Sequence, residues 1–158
     1  MRHHRILTPA AVLTLALVVA LPTVWATPGS GVLAEPLVTS NVPDGLDAKS
    51  RTDGWKARLD IKGSTDVRTV KYTVAPGGTF GWHSHPGPTI VVIKQGTLTY
   101  LDSETCESTH YPPGTAFVDD GNHTHNAFNH GAVELVFYAT HLMPAGMPTR
   151  IDEPAADC

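Results

Sequence analysis

The chain is poor in charge and lacks a long apolar run, and both shortages narrow the classes of function open to it. Only 16% of its 158 residues are charged, and 15 acids outnumber 11 lysines and arginines, with no basic cluster. Binding of nucleic acid needs a basic patch, so we exclude that class of partner. The longest apolar run, about residues 10–21, is shorter than the ~20 residues that cross a bilayer. We therefore expect no stable membrane insertion of the mature protein.

The N-terminal segment has the three parts of a secretory signal peptide. Arg2 and Arg5 give a basic start, the apolar run follows, and residues 24–26 offer a small-residue cleavage site before Thr27. We predict a signal peptide over 1–26 and a secreted or extracytoplasmic mature protein; an uncleaved N-terminal anchor is the alternative. The mature chain keeps nine cations and all fifteen acids, which leaves a net charge of −6.

Cysteine is also scarce, since Cys106 and Cys158 are the only two. In an exported chain an even count indicates a disulfide bond. We predict an internal bridge that ties the C-terminal tail to the loop after residues 100–102. Two free thiols, or pairing between chains through Cys158, are the alternatives.

No segment shows a convincing amphipathic helix, and short strands fill the chain instead. Residues 27–50 are rich in Pro, Gly, Ser and Thr, which predicts an extended N-terminal segment. Trp55–Ile61 alternates apolar and polar residues as a half-buried strand does, whereas the β-branched run Ile90–Ile93 suggests a strand covered on both faces. Short strands separated by Gly and Pro within one domain are typical of a β-sandwich or jelly roll.

Four of the seven histidines that follow the signal segment form two pairs, His83/His85 and His123/His125. Alternate residues of a strand point to the same face, so the imidazoles of such a pair lie within reach of one metal ion. A third imidazole from a distant strand completes a three-nitrogen set that suits Zn, Fe, Ni or Cu. The pairs therefore predict a metal site.

The remaining three histidines of the mature chain have no paired neighbour. We predict surface or loop positions for His110, His130 and His141.

The first histidine pair lies in a segment that resembles the first sequence motif of the cupin superfamily. That motif has a glycine, five residues, His-x-His, three or four residues, a glutamate, six residues and a glycine. The matching positions are Gly77, His83, His85 and Gly96. Thr89 stands at the position of the glutamate.

The second pair lies in a segment that resembles the second cupin motif, which has a glycine, five residues, Pro-x-Gly, two residues, a histidine, three residues and an asparagine. Gly114, His125 and Asn129 match, while Asp120 and Asn122 replace the proline and the glycine. The resemblance spans roughly residues 66–142. It implies an all-β fold, a single cupin jelly roll (a double-stranded β-helix barrel), as in small exported bacterial cupins of this type.

The threonine at position 89 changes the ligand set that the resemblance implies. Threonine is a poor neutral ligand beside imidazole, so the implied site has three histidines, His83, His85 and His125. It would hold one divalent transition metal: Zn, Fe, Mn, Ni or Cu. His123 is a candidate for an additional or alternative ligand, or for a group behind the ligands. Thr89 would contribute a hydroxyl to the pocket.

The expected organisation is a signal peptide at 1–26, an extended segment at 27–50, a cupin β-barrel domain at 51–142 and a C-terminal tail at 143–158. Glu134, the acid near the strands that could replace the missing glutamate, is expected to face solvent.

We predict an exported metal-binding cupin-domain protein with a small-molecule ligand or substrate. A homodimer is one assembly that the sequence allows. The protein is either a metal-dependent enzyme (dioxygenase-like, hydrolytic or an isomerase) or a non-catalytic small-molecule or metal-binding cupin. The sequence has no nucleophile motif, phosphate loop or paired catalytic carboxylates, so it leaves the reaction class open.

Overall fold

The computed structural model describes residues 26–158, so the predicted signal peptide lies outside the described residues except for Ala26. Among the described residues, no helix is long and apolar enough to cross a membrane. The regular structure of this part of the chain consists of β1 (Ser30–Val42), β2 (Gly45–Thr52), β3 (Trp55–Lys62), β4 (Thr65–Thr79), β5 (His83–Ser84), β6 (Thr89–Gln95), β7 (Leu98–Asp102), β8 (Ser108–Tyr111), β9 (Ala116–Asp119), β10 (His125–Phe128), β11 (Leu135–Pro144) and β12 (Ile151–Asp152).

Ten of these strands form one antiparallel sheet that curls into a barrel. The long strand β4 pairs with β1 on one side and with β11 on the other, and β11 continues the sheet through β6 to β9. Strand β10 pairs with the end of β4 and with β5 and β7. Beyond them, β12 pairs with β5 and β8 pairs with β7. The all-β jelly roll predicted from the sequence is confirmed.

Strand β6 shows how the barrel wall divides its side chains between core and solvent. Val91 and Ile93 are buried, whereas Ile90 is 43% exposed and Val92 is similarly open. The prediction that both faces of Ile90–Ile93 are covered is wrong, because in this antiparallel barrel only the inner face of the strand is packed. The inward residues join one apolar core, and each fully buried side chain of this size stabilises the fold by about 1.5–3 kcal/mol.

The β2–β3 hairpin is a separate two-stranded ribbon. The prediction of a strand at Trp55–Ile61 is correct, but the prediction that it is half-buried is wrong. Trp55 is 57% exposed, and Ile61 alone in β3 is partly covered. In the described part of the chain this ribbon pairs with no third strand, so its apolar side chains have no surface to pack against.

The second cupin-like motif contains residues that hold the fold rather than the site. The buried amide of Asn129 donates hydrogen bonds to the carbonyls of Val74 and Val133, so this side chain joins β4 to the turn before β11. Gly121 has a φ of +77°, and a Cβ there would lie 2.7 Å from the backbone of Gly87. A glycine is thus required one residue away from the place where the motif has one.

Strands near both ends of the described chain pair with strands of the barrel. Strand β1 pairs with β4 over most of its length, and β12 pairs with β5 beside His83. The chain then ends at Cys158, whose sulfur lies 2.09 Å from that of Cys106, the distance of a disulfide bond within one chain. The tail is therefore held against the same end of the barrel as the histidines.

Candidate metal site

Three histidines from the two motifs meet inside the barrel. His83 on β5 lies directly opposite His125 on the neighbouring antiparallel strand β10, and their ring centroids are 4.3 Å apart. The ring of His85 lies 5.1 Å from that of His83 and 5.3 Å from that of His125. One ring nitrogen of each residue lies within 4.8 Å of the other two. This cluster is compatible with a metal ion.

Hydrogen bonds to the other ring nitrogens orient all three imidazoles. A carbonyl oxygen only accepts, so each Nδ1 that faces a carbonyl carries the proton and leaves the lone pair on Nε2. This is how metal-ligating histidines are usually held. The bonds run from His83 to the carbonyl of Gly81 at 2.8 Å, from His85 to that of Thr149 at 2.6 Å, and from His125 to that of His123 at 3.1 Å. Three neutral nitrogen donors fit a divalent transition metal.

Burial keeps these imidazoles uncharged. Burial, with the neighbouring His125 and His85, lowers the pKa of His83 from 6.5 to about 2, and burial lowers that of His125 to about 4. Burial also lowers the pKa of His85. The neutral form is the one that binds a metal, so protons compete for these nitrogens only in acid.

Acid is expected to destabilise the metal-free domain. Below pH 6.5 the unfolded histidines bind protons, whereas the folded ones stay neutral down to their lowered pKa values. The unfolded state then binds more protons than the folded state. The free energy of unfolding therefore decreases as the pH is lowered, by up to about 1.4 kcal/mol per pH unit for each such histidine. The hydrogen bond to Asp102 raises the pKa of His123. This one histidine therefore opposes the destabilisation of the folded domain by acid.

The measurement is the urea midpoint of chelator-treated protein between pH 7.5 and pH 5. It should drop steadily below pH 6.5, and the variant His130→Gln, changed at an exposed histidine, should follow the same curve. A midpoint that stays constant down to pH 5 would contradict the burial of neutral histidines.

His123 lies next to the cluster in sequence, and both of its ring nitrogens face carboxylates. Its Nε2 is 2.6 Å from Asp102 Oδ2, and its Nδ1 is 3.7 Å from Glu104 Oε1. The residue contacts the cluster through its main-chain carbonyl, which accepts the hydrogen bond from His125. Of the two roles considered for His123, this geometry favours a group behind the ligands.

The side chains of Thr89 and His141 form a hydrogen-bonded pair in the cavity wall. Thr89 is 1% exposed, and its hydroxyl lies 2.9 Å from Nδ1 of His141. His141 is 3% exposed, with its ring 5.2 Å from that of His85. The prediction that His141 is a surface or loop residue is wrong, whereas His110 and His130 are exposed as predicted. Period-two alternation along β11 would have placed His141 inside, on the face of Phe137 and Ala139.

These histidines open onto a cavity of about 440 Å³ within the barrel. Much of its wall is apolar, with Val91, Leu98 and Phe137 among the lining residues. The wall also contains Asp119, a buried carboxylate that the sequence reading missed. Glu134 is exposed, as expected from the sequence. The cavity can therefore enclose a small, largely apolar molecule beside the histidine cluster.

A nearly closed antiparallel β-barrel thus encloses a triad of histidines, His83, His85 and His125, and a cavity beside it. Residues 70–141 match the family model described as the cupin domain. Over this stretch the chain is a cupin domain. No curated protein matches the chain.

Solved structures of several bacterial proteins resemble this one. A cupin superfamily protein from Desulfitobacterium hafniense is 14% identical, with a TM-score of 0.48 over 74% of this chain and 82% of that chain. A cupin domain from Bordetella pertussis is 22% identical, with a TM-score of 0.44 over 63% and 94% of the two chains. A double-stranded β-helix protein from Klebsiella pneumoniae is 18% identical, with a TM-score of 0.48 over 82% and 91%.

Proposed function

We propose that this protein is an exported metal-binding cupin that holds one divalent transition metal and takes a small molecule into its barrel. The metal ligands are His83, His85 and His125. The observation that carries the proposal is the hydrogen bonding of each Nδ1 to a carbonyl, which leaves three buried Nε2 lone pairs within one cluster.

The cavity supports the second half of the proposal. Three protein ligands leave coordination positions open, and these positions would face the cavity beside the triad. A bound metal would supply a Lewis acid there, or a centre for oxygen chemistry if it is iron. The apolar wall would hold the carbon skeleton of the small molecule and exclude water.

A metal-dependent enzyme is the more specific form of this proposal, and His141 would be a residue that orients its substrate. This buried imidazole lines the cavity without belonging to the triad. Burial lowers its pKa to about 3, so it is neutral at pH 7. Its Nδ1 faces the hydroxyl of Thr89 and its Nε2 faces that of Tyr72, so this imidazole would orient a molecule bound in the cavity rather than take a proton from it.

Export is supported by the sequence of residues 1–26 and by the bonded cysteine pair, since disulfides persist in oxidising compartments. The protein recovered from outside the cytoplasm of an expressing cell should begin at Thr27 and weigh two protons less than the free dithiol. Full-length protein in the cytosol with two alkylatable thiols would contradict export.

The proposed function is tested by elemental analysis of the mature protein purified without chelator and without a histidine tag. We expect close to one transition-metal ion per chain, and its identity selects the turnover assay, such as dioxygen consumption for iron. A chain that neither retains metal nor takes up Zn²⁺, Fe²⁺, Mn²⁺, Ni²⁺ or Cu²⁺ would overturn the proposal. Metal with no turnover across small apolar acids and alcohols would favour the binding protein over the enzyme.

A further inference from the structure

Asp119 is a buried carboxylate in the cavity wall that the proposed function does not yet use. It is 5% exposed, whereas Asp152, another acid of that wall, is open to solvent. Among the described residues, its only partner at ion-pair distance is His125. Burial of a carboxylate is costly even when it is hydrogen-bonded, so a cation bound nearby would stabilise this side chain.

The register of the barrel places Asp119 beside the position of the absent glutamate. Strands β6 and β9 pair with Thr89 directly opposite Asp119, and the next inward pair is Val91 opposite Phe117. Directly opposed residues point to the same face of a sheet. The chain therefore carries its carboxylate one strand away from the place where the cupin motif has one.

Three contacts fix this carboxylate against His125. Its Oδ2 lies 3.3 Å from Nδ1 of His125 and accepts a hydrogen bond from the hydroxyl of Tyr100 at 3.1 Å. Its Oδ1 accepts from the backbone N–H of Gly121 at 2.9 Å. The ring of Tyr100 also stacks on that of His125, with centroids 4.6 Å apart and planes at 17°. The carboxylate thus lies behind the imidazole, on the side away from Nε2.

We propose that Asp119 supplies the negative charge of the metal site in place of the carboxylate absent at position 89, and that it acts through His125 rather than as a ligand. The inference rests on the proposed metal-binding function. A carboxylate behind a ligating histidine makes the imidazole a better donor and partly neutralises the charge of the metal. Loss of such a partner typically costs 10–100-fold in metal affinity.

The first test compares Co²⁺ binding by the parent and by Asp119→Asn, which keeps the size of the side chain and removes its charge. We expect 10–100-fold weaker binding, with a urea midpoint of the metal-free protein that shows it is folded. The matched control is Asp120→Asn, the same charge change at the exposed neighbouring residue, which should bind within about threefold of the parent.

A second variant separates charge from geometry. Tyr100→Phe removes one hydrogen bond to the carboxylate and leaves its charge, so the loss of Co²⁺ affinity should be clearly smaller than that of Asp119→Asn. A loss as large as that of Asp119→Asn would mean that the orientation of His125 matters and that the charge does not, which overturns the inference.

The third test moves the charge to the opposite strand. Thr89→Glu should tighten Co²⁺ binding in the parent and change its visible spectrum, because an oxygen donor joins the three nitrogens; Thr89→Gln is the neutral control. If charge is the contribution of Asp119, Thr89→Glu should increase affinity about tenfold more in Asp119→Asn than in the parent. Equal gains in the two backgrounds would overturn the inference, whereas a parent that binds no Co²⁺ would overturn the proposed function itself.

Discussion

Replacing His83 and His85 together by alanine is expected to abolish metal binding. The two residues supply two of the three nitrogen donors of the cluster, and a single remaining imidazole does not retain a divalent ion through purification. Elemental analysis should find close to one transition-metal ion per chain in the parent. The variant should carry less than about a tenth of that, because the loss of two ligands greatly weakens metal binding. The fold should persist, because the variant leaves the apolar core in place and removes from it only the stacking of His83 on Phe80.

The matched control removes the same number of histidines elsewhere. His110→Ala with His130→Ala changes two exposed residues and should leave the metal content unchanged. The urea midpoint of both metal-free double variants reports whether each is folded. Unchanged metal content in the folded His83→Ala/His85→Ala protein would show that the metal is held elsewhere.

Serine at both Cys106 and Cys158 is expected to lower the free energy of unfolding by up to about 4 kcal/mol. The two residues are 52 apart, and removal of a cross-link over a loop of this length gives the unfolded chain back its conformational entropy. Urea unfolding of the oxidised parent and of the double variant measures the difference. Reductant should weaken the parent to a similar extent and leave the variant unchanged, which is the internal control. Equal midpoints for parent and variant would contradict a stabilising internal bridge.

The same substitution should also loosen the tail beside the histidines. Strand β12 has only two residues and pairs with β5, and the backbone N–H of Glu153 donates to the carbonyl of Trp82. The tail further supplies the Thr149 carbonyl that orients His85. Amide exchange at Glu153 should therefore accelerate in the double-serine variant, and metal affinity should fall. Slow exchange at this amide in the variant would show that short-range pairing holds the tail without the bridge.

The parts of the site that the sequence predicted are those that depend on local spacing. His83 and His85 are two residues apart, so the period of a strand places them on one face whatever the strand pairs with. The strands themselves could also be predicted, since alternation and turn residues are local. The approach of His125 followed from the spacing of the second cupin motif rather than from any physical signal in the residues.

The parts that were missed depend on which strands become neighbours. Asp119 matters because β9 lies beside β6 in a register that places it opposite Thr89, and no local pattern contains that information. The exposure of β3 has the same origin: its alternation predicted a strand, but the surface to cover it is absent among the residues that the structure describes. His141 is different, since it lies on the inner face of β11 with Phe137 and Ala139 and the alternation of that strand could have predicted it.

Anomalous diffraction from crystals of the Zn²⁺-loaded mature protein, collected at the zinc edge, tests the central claim most directly. The account predicts one strong peak inside the barrel, about 2.0–2.1 Å from Nε2 of His83, His85 and His125, with at least one position open to the cavity. A barrel without a peak at this cluster would contradict the account. A peak held instead by the ring of His123 and the carboxylate of Asp102 would do so equally.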